Sequence, residues 1–142
     1  MKKSVAALIL LLTVGLNNGM VIQFGNMIKK TSRIPPLSFN GYGNYCGMFG
    51  SGREMDNIDR CCSAHDKCLS TTNRFHCLPF FYFSYYILPY SWYMQDGHIQ
   101  CAPTNTRCAQ GLCDCDRLCA ECFAKYDNEY NPALKRRLNI MG

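Results

Sequence analysis

The stretch 59-DRCCSAHDKC-68 sets three cysteines and a histidine among the charged residues Asp59, Arg60, Asp66 and Lys67. Cys61, Cys62, His65 and Cys68 could ligate a soft metal. His65 and Asp66 could instead serve catalysis, or the cysteines could be covalent staples flanking an ordinary core histidine. The surrounding chain narrows the choice.

The chain has 142 residues, a length that fits one domain. Its opening, MKKSVAALILLLTVGLNNG, runs from lysines through a short apolar stretch to small and polar residues. That is the layout of a secretory signal peptide, with cleavage expected after Gly19 and a mature domain over 20–142. Val5 to Leu16 falls short of the roughly 20 apolar residues that span a membrane. An uncleaved anchor is the alternative. All eleven cysteines lie between Cys46 and Cys122. Behind a leader, that density implies an extracellular, disulfide-bonded domain with one cysteine left over. Losing Lys2 and Lys3 takes the formal charge from +5 to +3. This mild basicity suits an anionic membrane surface and makes no case for nucleic acid. The basic cluster KRR, Lys135 to Arg137, reads as solvated surface.

MVIQFGNMIKK places Val21, Phe24, Met27 and Ile28 at helical spacing and predicts a short amphipathic helix. TSRIPPLSFNGYGN reads as a linker broken by Pro35 and Pro36, and YGNYCGMFGSG as a glycine-rich loop. A helix is expected from Asp56, its cap, with Asp59 in the first turn and no Gly or Pro before Pro79. The aromatic region up to Gln95 reads as loop leading into a short hairpin that turns at Asp96-Gly97. A second helix should run from Thr106 or Cys108 to Tyr126, with coil or a single turn after Pro132.

Cys61 and Cys68 are seven residues apart, as are Cys115 and Cys122, which is two turns along one helix face. Antiparallel helices cross-linked 61 to 122 and 68 to 115 are one pairing this permits; sequence alone does not fix connectivity. His65 shares the Cys61–Cys68 face, and Asp116 follows Cys115 on the opposing helix, so the two could meet. Zinc is disfavoured by the adjacent Cys61-Cys62 pair and by an oxidising compartment. A carboxylate at Asp66 beside a buried seam calls for a cation. Upstream loop carbonyls with one carboxylate are hard oxygen ligands of the kind calcium takes, although a glycine loop by itself can be merely flexible.

Tyr42 to Cys68, YGNYCGMFGSGREMDNIDRCCSAHDKC, resembles without a gap the calcium loop and CC-x-x-H-D-x-C active-site helix of the secreted phospholipase A2 family. CDCDRLCAECF, Cys113 to Phe123, resembles that family's second long helix, and QFGNMI its first; residues 70–100 match loosely. The resemblance implies a mainly α, disulfide-rich fold. Its parts would be two long antiparallel cross-linked helices, a short N-terminal helix, a calcium loop and a small two-stranded β-wing. It implies calcium-dependent hydrolysis of the sn-2 ester of glycerophospholipids at a membrane or micelle surface. His65 would be the general base, Asp116 the carboxylate orienting it, and Tyr90 a hydrogen-bonding support of Asp116. Tyr45, Gly47 and Phe49 would offer backbone carbonyls, and Asp66 its carboxylate, to Ca2+; the Gly47 amide would face the developing oxyanion. The bridges implied are Cys46–Cys62, Cys61–Cys122, Cys68–Cys115, Cys77–Cys108 and Cys101–Cys113. Cys119 is then unpaired and expected buried, an intermolecular disulfide being the alternative.

Lys30 and Met94 stand where one further family bridge would be, and Asn44 where a loop cysteine would join a C-terminal one. Phe49 replaces a loop glycine, and is strained if its backbone needs positive φ, which could weaken calcium binding. Leu69 replaces a tyrosine supporting the orienting aspartate, and Glu54 replaces a proline. Val21, Phe24 and the run Leu78 to Tyr90 could form an apolar collar on a membrane, or pack inside. Lys29, Lys30, Arg33 and Arg53 could meet anionic headgroups. The alternative function is a non-catalytic member that binds a membrane or receptor, or acts as a toxin.

Overall fold

The computed structural model describes residues 19–77 and 88–136. The leader before residue 19 and most of the aromatic run, 78–87, lie outside the described residues. The described elements are helices α1 (Met20–Thr31), α2 (Pro36–Phe39), α3 (Asn57–His76) and α4 (Arg107–Tyr126), strands β1 (Trp92–Gln95) and β2 (His98–Cys101), and two 3-10 turns, Asp127–Glu129 and Pro132–Leu134. The fold is mainly helical and disulfide-rich, as the cysteine and motif pattern predicts. Among the described residues no helix is long and apolar enough to cross a membrane.

Each long helix starts at a side-chain cap. Asp56 accepts from the Asp59 amide, and Thr106 from the Ala109 amide, which satisfies N–H groups that the first turn leaves without an internal partner. The helices pack together closely enough that a Cβ on Gly111 would lie 2.6 Å from Thr72 Cγ2. Cys61–Cys122 and Cys68–Cys115 clamp this seam; Cys46–Cys62, Cys77–Cys108 and Cys101–Cys113 tie the loop, the end of α3 and the wing. These are the five pairs the resemblance implies. Cys119 is the free thiol, buried, with its sulfur toward the Cys61 carbonyl.

Helix α1 turns inward Phe24, Met27 and Ile28 of the expected face, with Met20 taking the place expected of Val21. Met20, Met27 and Ile28 are buried and Phe24 packs on the core, whereas Val21 is 59% exposed. Val21 sits about 100° around the helix from Met20, off the stripe at i, i+4, i+7 and i+8. The segment read as a linker contains α2, because Pro36 occupies the first helical position, where its missing N–H costs nothing. The wing is an antiparallel hairpin with Trp92 opposite Cys101 and Gln95 opposite His98. Asp96 and Gly97 both take positive φ, the turn a two-residue hairpin requires. Trp92 Nε1 donates to Gln23 Oε1 at 2.8 Å and so joins the wing to α1.

Candidate active site

His65 lies on the face of α3 that the bridges press against α4. Its Nε2 meets Asp116 Oδ1 at 2.5 Å. Tyr90 donates its hydroxyl to the other oxygen, Asp116 Oδ2, also at 2.5 Å. Asp116 is fully buried. Burial raises its pKa, and the hydrogen bonds from His65 and Tyr90 pull it back down. Burial chiefly, and then the Asp116 charge, push the Tyr90 hydroxyl far up, so it stays a donor. A carboxylate fixed on Nε2 leaves Nδ1 as the nitrogen free to take a proton. Leu69 is buried in α3 and offers this carboxylate no donor, so Asp116 has two supports among the described residues.

Phe24 reaches the site from α1. Its ring stacks on the His65 imidazole at 4.7 Å between centroids and 24° between planes. The structure thus separates two residues expected to share a surface. Val21 faces solvent, and Phe24 forms a wall over the histidine, excluding water from one of its faces. Tyr90 is the described member of the aromatic run that joins the site.

Asp66, next along α3, is half-buried. Burial raises its pKa, the His65 charge lowers it in part, and the Asp59 charge adds a smaller rise. No lysine or arginine pairs with it among the described residues. The glycine loop lies upstream. Among the described residues, the carbonyl oxygens of Tyr45 and Phe49 accept no hydrogen bond and the Gly47 amide donates none. The Cys46 carbonyl, by contrast, accepts from the Gly41 amide at 2.8 Å and from Arg136. Gly47 has φ 118° and Phe49 has φ 60°. Phe49 therefore carries the strain that its replacement of a glycine raised as a possibility, and its side chain projects outward, 91% exposed. An uncompensated carboxylate and uncommitted loop carbonyls are a donor set that fits a hard divalent cation.

Asp59 is the residue that sequence reasoning undervalued. The sequence reading places it only in the first turn of the helix. Instead its carboxylate, fully buried, accepts from the amides of Asn44 at 2.9 Å, Tyr45 at 2.7 Å and Met55 at 2.9 Å. The loop is thereby wrapped onto the first turn of α3. Gly43 makes this approach possible, since a Cβ there would sit 2.3 Å from Asp59 Cγ. An acid in the first turn of a helix just after a glycine loop is the one signal that could have revealed it. A polar cleft of about 440 Å³ between β2 and α4, lined by His98, Gln110, Asp114, Arg117 and Glu121, does not include His65.

Residues 21–135 match the family model for phospholipase A2. The chain belongs to the phospholipase A2 family. It is 43% identical over 122 residues to acidic phospholipase A2 2 of Naja naja, covering 81% of this chain and 96% of the relative. To a phospholipase A2 of Oryctolagus cuniculus it is 40% identical over 117 residues, 80% of this chain and 81% of that one. To phospholipase A2 SSD387 of Scolopendra dehaani it is 38% identical over 114 residues, 77% and 74% of the two chains. In this phospholipase A2 family member, His65 and Asp116 sit on the two bridged helices.

Proposed function

We propose that this protein is a secreted, calcium-dependent phospholipase A2 that hydrolyses the sn-2 ester of glycerophospholipids at a lipid surface. The observation that carries this is the buried Tyr90–Asp116–His65 chain one residue from the uncompensated carboxylate of Asp66. In the proposed reaction, His65 Nδ1 takes a proton from a water whose oxygen attacks the sn-2 carbonyl carbon. Asp116 holds the Nε2 tautomer and stabilises the imidazolium that forms. The same proton is returned to the departing glycerol oxygen as the acyl–oxygen bond breaks, giving a free fatty acid and a lysophospholipid. The Gly47 amide is free to donate to the developing oxyanion.

Asp66 and the carbonyls of Tyr45, Gly47 and Phe49 would hold Ca2+. When bound, the ion would supply Lewis-acid polarisation of the ester carbonyl and charge for the lipid phosphate. Val21 and the loop-tip residues Met48 and Phe49 are exposed apolar side chains suited to a membrane or micelle surface. Secretion rests on the leader, 1–19, ahead of a phospholipase domain over 20–142. The buried Cys119 gives no support to a disulfide-linked dimer.

A non-catalytic membrane- or receptor-binding role is the second reading, favoured by the positive φ of Phe49 and by Leu69 in place of a tyrosine. Mixed-chain phospholipid vesicles, incubated with the mature protein in calcium and in chelator, separate the two. Calcium-dependent release of the sn-2 fatty acid is expected; vesicle binding without release overturns the enzyme reading.

A further inference from the structure

Loop 41–53 has one covalent tether, Cys46–Cys62, and is held on its helix side by Asp59. Its other edge is held by residues 134–136 of the C-terminal tail. The Leu134 carbonyl accepts from the Gly43 amide at 3.0 Å, and Tyr42 and Lys135 form an antiparallel bridge. The Arg136 amide donates to the Gly41 carbonyl at 2.8 Å. The Arg136 guanidinium then reaches across the loop, with Nη2 donating to the Cys46 carbonyl at 3.2 Å and Nε lying 3.5 Å from the Gly41 carbonyl. Nη2 also lies 3.7 Å from where a Cβ on Gly47 would be.

We infer that Arg136 is a positioning residue for the cation-binding loop, a tail strap that fixes the Cys46 carbonyl and thereby orders its neighbours Tyr45 and Gly47. The inference deepens the proposed calcium site and rests on it. Cys46 lies between two of the residues proposed to offer carbonyls, and Arg136 together with the Gly41 amide commits its own carbonyl elsewhere. A loop ordered in advance loses less conformational freedom when a cation binds. A guanidinium near a cation site also repels the cation, so the two effects predict opposite signs. The geometry favours ordering, because the charge points at a carbonyl already committed on the strap side. The tail's basic cluster therefore includes one side chain engaged with the loop. Its neighbour Lys135 instead donates to the Leu37 carbonyl of α2.

Calorimetric titration of the full mature chain with CaCl2, without lipid, tests this. Arg136→Ala is expected to weaken calcium binding about three- to tenfold, the range of one net hydrogen bond. Arg136→Lys, which keeps the charge and one donor head, should recover part of that loss. Lys135→Ala, removing the same charge one residue away, should leave the affinity unchanged. Hydrogen exchange in chelator should show faster exchange of the amides at residues 41–50 in Arg136→Ala alone. In lipid hydrolysis, the calcium needed for half-maximal rate should rise while the rate at saturating calcium holds. A parent chain that binds calcium beside an Arg136→Ala variant of equal or tighter affinity overturns the strap and leaves the site standing. A parent chain that binds none overturns the site, and the strap with it.

Discussion

His65 Nε2 and Asp116 Oδ1 meet at 2.5 Å although 51 residues separate them in sequence, because two disulfides hold their helices in one register. The contact depends on both bridges flanking it, Cys61–Cys122 on one side and Cys68–Cys115 on the other. Rotation of either helix would carry the imidazole away from its carboxylate.

His65→Gln removes the proposed base and keeps a polar side chain on the seam. Turnover should fall by about a thousandfold or more, the scale set by general-base removal, with vesicle binding retained. Fatty-acid release against phospholipid vesicles, with a sedimentation assay of binding, checks this; residual turnover near the parent rate would falsify the assignment of His65.

Asp116→Asn tests the orienting role and its energetic cost together. The amide would donate to Nε2 and drive the proton to Nδ1, leaving no lone pair for the water; a drop of about 10⁴ in kcat is the scale known for such a tautomer change in another hydrolase. Stability should respond in the other sense. Burial raises the folded pKa of Asp116 above its unfolded value, so its favourable contribution is complete below the ordinary carboxylate range and is lost as pH rises through the folded value. The stability of Asp116→Asn relative to the parent should therefore grow with pH through that window. Denaturation midpoints of both chains between acid and neutral pH measure this; an advantage that shrinks instead contradicts it.

Phe49→Gly addresses the strained loop position. A non-glycine residue at φ 60° costs about 1 kcal/mol that glycine avoids. The exposed ring makes no buried contact whose loss would offset this. A gain of about 1 kcal/mol is expected from chemical denaturation, in calcium and in chelator alike. Equal midpoints for parent and variant would show that the backbone there is not strained.

Asp59→Asn should loosen the loop without touching the His65–Asp116 pair. Three amides lose a charged acceptor, and the new NH2 group opposes at least one of them. A destabilisation of about 3 kcal/mol follows for buried donors left short of a partner. Thermal unfolding measures it, and loop amides should exchange faster than those of α4.

Much of this molecule is written in local pattern. Caps at Asp56 and Thr106, the seven-residue cysteine spacing and the Asp96-Gly97 turn each depend on neighbours within a few residues. They were legible because helix pitch and turn chemistry are short-range rules. The motifs supplied the pairing of the cysteines and the expected roles of His65, Asp66, Asp116 and Tyr90. The orientation of α1 was less legible, since Val21 and Phe24 are both apolar and only the position of α4 decides which is covered.

The sequence by itself determined the three longer helices, where covalent staples could fall and which residue types are available for chemistry. Tertiary structure alone decided that Asp59 holds the loop, that Phe24 stacks on His65 and that Arg136 reaches the Cys46 carbonyl from 90 residues away. The physical reason is that hydrogen-bond partners of a loop carry no periodicity. Any buried carboxylate or passing guanidinium can satisfy a loop amide or carbonyl, and packing selects which one does.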